Sequence, residues 1–167
     1  MLFLNVFVDF YSLILNTGYL MKLFSMIFPN LRFKMIVLFS RFHGKVLRST
    51  GGKFMHSLQG LDMLLLSTVG RHTGRLRDNP LLYLEYNGKF YCVASFGGHV
   101  NHPEWFLNLV ANPNVHLLIR GQRYTATAHV TSGSEREKAW RMLTEYHPGF
   151  VSYQKRTARK IPVVSFD

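Results

Sequence analysis

Groups that could bind an anion are concentrated in one short stretch of the chain, GRHTGRLRDNP at residues 70–80. Guanidinium groups bind phosphates and carboxylates through paired hydrogen bonds, and glycines leave backbone N–H groups accessible. The stretch lies between two apolar runs, so it is a turn that is either the rim of an anion site or an ordinary solvated hairpin loop. Its candidate donors are Arg71, His72, Thr73 and Arg77.

A second stretch, ASFGGHVNHPEW at residues 94–105, joins a predicted strand to a predicted helix. A strand that ends in Ser-x-Gly-Gly leaves backbone amides unpaired, and glycine places no side chain in the way of a planar group. The alternative is a plain strand-to-helix turn. Ser95, Gly97 and Gly98 are therefore the candidate contacts to a planar ring or a phosphate.

The charge of the whole chain agrees with an anionic partner. Twenty Lys and Arg against nine Asp and Glu give a formal net charge of +11 over 167 residues. That excess suits a phosphate-bearing cofactor, a nucleic acid or an acidic membrane surface, and the sign alone does not choose among them. We expect a small-molecule partner and no nucleic acid.

Other chemistry has weak support in the sequence. There is no HExxH motif, no Cys–His ligand spacing, no Walker loop and no Gly-x-Ser-x-Gly elbow. His99 and His102 lie close in sequence but lack a third ligand, so we predict no metal site. Because Cys92 is the single cysteine, no internal disulfide can form, and a reducing compartment is favoured. We predict that Cys92 is a small buried strand residue.

The elements that must position these residues follow from the apolar patterning after Leu61. Asn87-Gly88 predicts a tight hairpin, and a second hairpin is predicted at Gly121-Gln122. Six short strands with interposed helices indicate a mainly β, α+β fold, a small antiparallel barrel whose openings are covered by helices. The predicted strands are 61–69, 79–86, 89–96, 114–120, 122–131 and 161–166.

Three helices are predicted between these strands, and a fourth precedes them. A helix at 103–112 starts near Pro103, with Asn101 or His102 as its cap. A helix at 134–147 opens with a Ser134–Glu137 capping box, and a short helix lies around 150–159. An amphipathic helix at 35–52 ends at its glycines.

Residues 1–34 form an apolar N-terminal extension, separate from a domain at 35–167. The apolar stretch 2–28 is long enough to span a bilayer, but Asn5, Asp9, Asn16 and Lys22 interrupt it. It also lacks the features of a cleavable secretory signal. It is either a membrane-associating helix or an extension upstream of a start at Met21 or Met35. The domain is expected in the cytoplasm, with the inner face of the plasma membrane as the alternative.

Three motifs in order carry a family resemblance: LLLSTVGRHTGRLRDNPLLYL, VASFGGHVNHPEWFLNLVANPNV and YHPGFVSYQKRTARKIPVV. Together they resemble the deazaflavin-dependent nitroreductase family over residues 35–167. The resemblance implies a split β-barrel of the FMN-binding type that binds the deazaflavin coenzyme F(420). It also implies hydride transfer to a quinone, a nitroaromatic compound or another activated double bond.

The resemblance assigns roles to particular residues. Arg71 and Arg77 become phosphate and tail ligands, and Pro80 shapes the groove wall. Trp105 is mainly core packing, and Asn108 holds the loop or touches the coenzyme. Aromatic residues cover the hydride-donating face. By resemblance the cofactor-binding set is Arg71, His72, Thr73, Arg77, Pro80, Ser95, Phe96, Gly97, Gly98, Trp105 and Asn108, and the acceptor pocket is Phe150 and Tyr153, with Tyr153, His147 and Ser95 as candidate proton donors.

Three positions depart from the family pattern. His72 replaces a usual lysine or arginine, Phe96 replaces a polar or basic residue, and Phe150 replaces a tyrosine that could give a proton. These departures leave FMN or a shorter-tailed deazaflavin as alternative cofactors, and a cofactor-binding module without turnover as an alternative function. The oligomeric state is not predicted.

Overall fold

The computed structural model describes residues 31–58 and 60–167, which form seven strands, four α-helices and one 3₁₀ turn. The helices are α1 Leu31–Ser49, α2 Glu104–Ala111, α3 Gly133–Tyr146 and α4 Gly149–Lys155. The strands are β1 Ser57–Leu58, β2 Leu61–Val69, β3 Leu76–Tyr86, β4 Lys89–Val93, β5 Asn114–Ile119, β6 Gln122–Val130 and β7 Val163–Phe166, and the 3₁₀ turn is Phe96–Gly98.

Six of the strands close into an antiparallel barrel. The hydrogen-bonded order is β2-β3-β4-β7-β6-β5, and β5 pairs again with β2 to complete the circle. The short strand β1 adds to the free end of β2. The predicted architecture, a barrel of about six antiparallel strands with helices, is confirmed.

The two predicted hairpins have different outcomes. Asn87 and Gly88 both have positive φ, 51° and 73°, as a two-residue type I′ turn requires, so this prediction is confirmed. The second turn lies one residue earlier than predicted. Ile119 pairs with Gln122, so the turn residues are Arg120 and Gly121, with φ of 47° and 89°. A glycine in the second position satisfies the left-handed requirement.

Strand β3 also begins earlier than predicted, at Leu76 instead of residue 79. Thr68 pairs with Arg77 and Ser67 with Asp78, so half of the basic stretch continues the ladder between β2 and β3. Only residues 70–75 form the actual turn. Ladder hydrogen bonds outweigh the weak strand propensity of Arg77 and Asp78.

The predictions for two helix N-termini are wrong. Helix α2 is capped by Pro103, whose carbonyl oxygen accepts from Phe106 N–H at 3.0 Å, and neither Asn101 nor His102 serves. Helix α3 begins at Gly133 with Ser132 as N-cap, without a side-chain cap. Ser134 is already inside that helix, so the capping box with Glu137 does not form.

The barrel interior is the main core. Its fully buried side chains include Leu64, Leu66, Cys92, Leu117 and Phe166, and α2 packs Trp105 and Phe106 against one opening. Burial raises the pKa of the Cys92 thiol far above its usual range, as expected for an inert structural cysteine. A second cluster joins β4 and β7 to α3 and α4 through Val93, Leu143, Phe150 and Val163.

Helix α1 lies on the outer face of β2 and β3. Gly44 allows close packing, because a Cβ there would lie 3.5 Å from Pro80 and 3.6 Å from Leu65. Near its end Arg48 pairs with Asp78, which also accepts from the Ser67 hydroxyl at 2.7 Å. The helix ends before its glycines as predicted, but its described part already includes Leu31. The predicted boundary at 34/35 therefore falls inside it, and the expectation for residues 1–30 lies outside the described residues.

Candidate functional site

A long groove of about 880 Å³ follows β2 and β3 between α1 and α4. Nine residues of β2 cover about 26 Å at the usual rise of about 3.3 Å per residue, so the ends of the groove are well separated. The predicted site residues line it with one exception, Gly98. The lining includes Arg71, His72, Thr73, Arg77, Pro80, Ser95, Phe96, Gly97, Trp105, Asn108, His147, Phe150 and Tyr153.

The polar end of the groove, defined by Arg71, His72, Thr73 and Arg77, is built on a compact turn. Gly70 N–H donates to the Arg75 carbonyl at 2.8 Å, and Thr73 and Gly74 N–H groups donate back to the Gly70 carbonyl. A side chain at Gly70 would lie 2.9 Å from the Thr73 hydroxyl and 3.1 Å from the Arg75 carbonyl. Glycine is therefore required for the turn to close on itself.

Asn108 fixes this turn to helix α2. The side chain is 5 % exposed. Its Oδ1 accepts from Arg71 N–H at 3.1 Å and from the Arg71 guanidinium at 3.3 Å, and its Nδ2 donates to the Thr68 hydroxyl at 3.2 Å. Both ends of the amide are thus used within the protein. Asn108 therefore holds the loop in this structure, and its contact with the coenzyme stays a prediction.

The arginines at the polar end and on the neighbouring helix α1 differ in whether an acid neutralises their charge. The Arg71 guanidinium is bound at 2.6 Å by Glu104, an exposed side chain at the start of α2. Arg77 and Arg41, by contrast, have exposed guanidinium groups without an ion pair to any other described residue. Asp78, the other acid in the lining, is neutralised by Arg48. The groove therefore keeps a positive excess that favours an anionic ligand.

The turn after β4 contributes a left-handed segment to the groove. Ser95 is in the right-handed helical region, and Phe96, Gly97 and Gly98 follow with φ of 47°, 62° and 83°. A right-handed residue followed by a left-handed one directs successive backbone N–H groups toward one concavity, an arrangement that binds anions in other proteins. Phe96 pays a conformational cost for this shape, since its Cβ is crowded at positive φ.

Gly98 is the one predicted site residue that does not line the groove. It is buried and packs against α4, where an added Cβ would lie 2.6 Å from the Tyr153 carbonyl and 2.9 Å from Arg156 Cβ. The glycine allows the turn and the helix to approach closely. Phe96 instead belongs to an aromatic group with Phe33 of α1 and His99, whose ring centroids lie 5.7 and 5.0 Å from that of Phe96.

Three rings from the end of α3 and from α4 form one wall. Phe150 is buried and lies edge-on to His147, at 4.9 Å between centroids, and 6.1 Å from Tyr153. Burial lowers the pKa of His147, so its imidazole is neutral near neutral pH. The Arg156 guanidinium lies 5.4 Å from the Tyr153 ring centroid.

The other end of the groove is apolar, and no motif in the sequence predicts it. Its lining side chains are Leu58, Leu61, Met63 and Leu82, so we call it the apolar end. His43 of α1 lines it and bonds to the Met55 carbonyl at 2.8 Å. Burial lowers the pKa of His43, an effect only partly offset by that hydrogen bond, so this imidazole is also neutral.

Several further residues in or next to the groove were missed because no motif marks them. Arg41 and His43 lie in a helix predicted only as amphipathic packing. Arg159 lies in a basic run, KRTARK, that is typical of a solvated surface, yet its guanidinium binds the turn after β4. Among residues 31–58 and 60–167, no cluster of three or more acidic, His or Cys side chains is arranged for a metal ion. In the same part of the chain, no helix is long and apolar enough to cross a membrane.

Comparison with known proteins gives consistent results. Residues 39–166 match the family described as F(420)H(2)-dependent quinone reductase. A Mycobacterium tuberculosis protein with that name is 34 % identical over 128 residues, covering 74 % of this chain and 86 % of the relative. A solved F(420)H(2)-dependent reductase is 38 % identical, with a TM-score of 0.59, over 63 % of this chain and 93 % of that one. A second solved structure, described as a domain-swapped dimer, is 34 % identical with a TM-score of 0.61, over 74 % of this chain and 94 % of that one.

Proposed function

The chain belongs to the F(420)H(2)-dependent quinone reductase family, and we propose that its groove holds the deazaflavin coenzyme at the polar end and a quinone at the apolar end. The family makes the protein a deazaflavin-dependent oxidoreductase. The observation that supports the placement is the polarity of the groove, with unpaired arginine charge at one end and leucine and methionine side chains at the other.

The residues present fit the coenzyme. A deazaflavin carries a planar ring, a phosphodiester and a carboxylate-bearing tail, and the groove volume of about 880 Å³ lies within the range of cofactor sites. Arg71 and Arg77 would bind the phosphate and the tail. Ser95 and Gly97 would lie against the ring or the phosphate, because a small hydroxyl side chain and a residue without a side chain leave the backbone accessible there.

The departures from the family pattern change which side chains of the polar end would bind the coenzyme. His72 is exposed at the turn and stands where the family usually has a lysine or arginine, so the turn lacks one guanidinium or ammonium group that could bind an anion. Arg77 then carries more of the attraction. Glu104 competes for Arg71, so Glu104→Gln should free that guanidinium and tighten coenzyme binding. Unchanged binding by Glu104→Gln would mean that Arg71 serves only to hold the turn.

The chemistry that the reduced coenzyme would supply, when bound, is a hydride for the quinone. The quinone oxygen also needs a proton, and we assign its donation to the Tyr153 hydroxyl. His147 is disfavoured because its half-buried, neutral imidazole is a weak acid, and a serine hydroxyl such as that of Ser95 is also a much weaker acid than a phenol. The Arg156 charge near the Tyr153 ring would stabilise the negative charge that develops on the phenol.

The function is tested by titrating the purified protein with oxidised deazaflavin and following its fluorescence, and by following quinone-dependent oxidation of the reduced coenzyme. We expect saturable binding, and turnover with a naphthoquinone that carries an alkyl chain. Tyr153→Phe should lower kcat on the order of a hundredfold while coenzyme binding is kept. Full turnover by Tyr153→Phe would mean that the proton comes from His147, Ser95 or water instead.

Two alternatives from the sequence are separated by the same experiments. FMN is tested by competition, because tighter binding of FMN than of the deazaflavin would replace the cofactor assignment. Tight deazaflavin binding without oxidation by any quinone or nitro compound would indicate a binding module, as the phenylalanine at position 150 suggested.

We also propose that α1 brings the groove to a membrane surface, where a lipid-soluble quinone would be available. Leu38 and Phe42 are 61 % and 51 % exposed on α1, next to the exposed cations Lys34, Arg41 and Lys45. Such a mixed face suits the headgroup region of anionic lipids. The full chain should sediment with vesicles that contain phosphatidylglycerol and less with neutral vesicles, and Leu38→Gln should reduce the binding. Equal recovery with both vesicle types would exclude the proposal.

A further inference from the structure

Arg159 makes an unusual set of contacts for an arginine in a surface-type sequence. It lies between α4 and β7, and its guanidinium donates to the carbonyl oxygens of Ala94 at 3.1 Å, Ser95 at 2.8 Å and His99 at 2.9 Å. Its remaining nitrogen lies 3.4 Å from Nδ1 of His102. All four partners belong to residues 94–102, which are about 60 residues away in sequence.

These contacts hold both sides of the left-handed turn. Ala94 and Ser95 precede the turn and His99 follows it, so one rigid guanidinium spans Phe96, Gly97 and Gly98. A phenylalanine at φ of 47° persists only if the surrounding structure holds it there. Arg159 supplies a substantial part of that support.

The charge of Arg159 is not neutralised by an acid. No carboxylate among the described residues forms an ion pair with it, although other arginines of the structure, Arg48, Arg71, Arg120 and Arg136, have one. Arginine suits such a site because its planar guanidinium carries several N–H donors in a fixed arrangement. Three carbonyl oxygens accept hydrogen bonds from these donors, and no counterion is needed. The positive charge then remains next to the turn proposed to face the coenzyme.

Arg159 is itself fixed by α4. Gln154 donates to the Arg159 carbonyl at 2.8 Å and accepts from Ile161 N–H at 2.9 Å. A continuous set of hydrogen bonds thus joins the helix that carries Phe150 and Tyr153 to the turn that carries Ser95 and Gly97. The close approach of Gly98 to α4 adds a second connection.

We propose that Arg159 is a positioning residue for the coenzyme, which sets the shape of the Ser95–Gly98 turn and holds that turn at a fixed place relative to the acceptor wall on α4. The proposal rests on the function assigned above. It assigns a role to a residue outside the groove lining. Without Arg159 the turn would lose its left-handed shape, and the coenzyme would lose a preformed binding surface.

The test compares Arg159→Gln and Arg159→Lys with Lys160→Gln. Lys160 is the neighbouring cation, its ammonium pairs with the exposed Glu137, and it makes no contact with the turn, so it controls for loss of one charge. Each variant is examined by circular dichroism, by amide hydrogen exchange without coenzyme, and by fluorescence titration with oxidised deazaflavin.

For Arg159→Gln we expect faster amide exchange confined to residues 94–102 and a coenzyme Kd raised roughly tenfold, the factor for loss of one net hydrogen bond. Arg159→Lys should give an intermediate Kd, because an ammonium keeps the charge but not the fork. Lys160→Gln should match the wild type. If Arg159→Gln does not fold, the amide exchange and the coenzyme Kd of Arg159→Lys are compared with those of the wild type instead.

The proposal is overturned if the folded Arg159 variants bind the coenzyme with the Kd of Lys160→Gln, or if exchange within 94–102 does not change. A wild-type protein that does not bind deazaflavin would refute the assigned function instead. In that case the exchange comparison still decides whether Arg159 holds the turn.

Discussion

Asn108 is the residue whose removal should most clearly show how the polar end is held. Its amide bonds to the Thr68 hydroxyl, which is 0 % exposed, and to Arg71 N–H. Asn108→Ala leaves the buried hydroxyl without this partner, at a cost of about 1–3 kcal/mol, and loses a partly exposed hydrogen bond worth about 1 kcal/mol. We therefore expect the free energy of unfolding to fall by roughly 2–4 kcal/mol.

The measurement is urea unfolding followed by circular dichroism, with Asn112→Ala as the matched control. Asn112 is the C-cap of the same helix, and within the described part of the chain its side chain bonds only to the nearby Asn114 N–H at 3.1 Å, so its loss should cost about 1 kcal/mol or less. A double-mutant cycle with Thr68→Val should give a coupling energy of about 0.5–1.5 kcal/mol. Equal stability of the Asn108 and Asn112 variants, or a coupling near zero, would refute the role of this amide.

Three further changes test other parts of the site. Arg77→Ala should raise the coenzyme Kd roughly tenfold at low salt and less at high salt, with unfolding free energy changed by less than about 0.5 kcal/mol. Gly98→Ala, which combines positive φ with a 2.6 Å approach to backbone, should destabilise more than Gly74→Ala, whose Cβ meets nothing within 4 Å; urea midpoints decide it. His43 is neutral when folded because burial lowers its pKa, and unfolding restores a value near 6.5. Stability should therefore decrease as pH falls below about 6.5, and His43→Gln should reduce that slope in urea titrations at pH 5 to 7.

The barrel was predictable because its signals are local. Alternating apolar residues mark the strands, and Asn87-Gly88 satisfies the positive φ that a two-residue hairpin needs. The misplaced turn at Arg120 shows the limit of that approach. The glycine at position 121 is equally compatible with either register, and only the pairing of Ile119 with Gln122 decides between them.

The site was predictable in its motifs but not in its connections. The groove gathers Arg71, Ser95 and Tyr153, which the three motifs had marked. The sequence did not indicate that Glu104 would share Arg71 or that Arg159 would hold the second motif. Those contacts depend on how distant segments meet in three dimensions, and no local pattern encodes them.

The groove is assembled from four parts of the chain that are far apart in sequence: α1, the β2–β3 pair, the segment from β4 to α2, and the end of α3 with α4. A ligand that contacts all four can bind only when the whole barrel is closed. Coenzyme binding and global folding are then thermodynamically linked. At a free coenzyme concentration of about 100 times Kd, the native state gains about 2.7 kcal/mol. The coenzyme would act as a non-covalent cross-link, so the cellular lifetime of the enzyme would follow the supply of its cofactor.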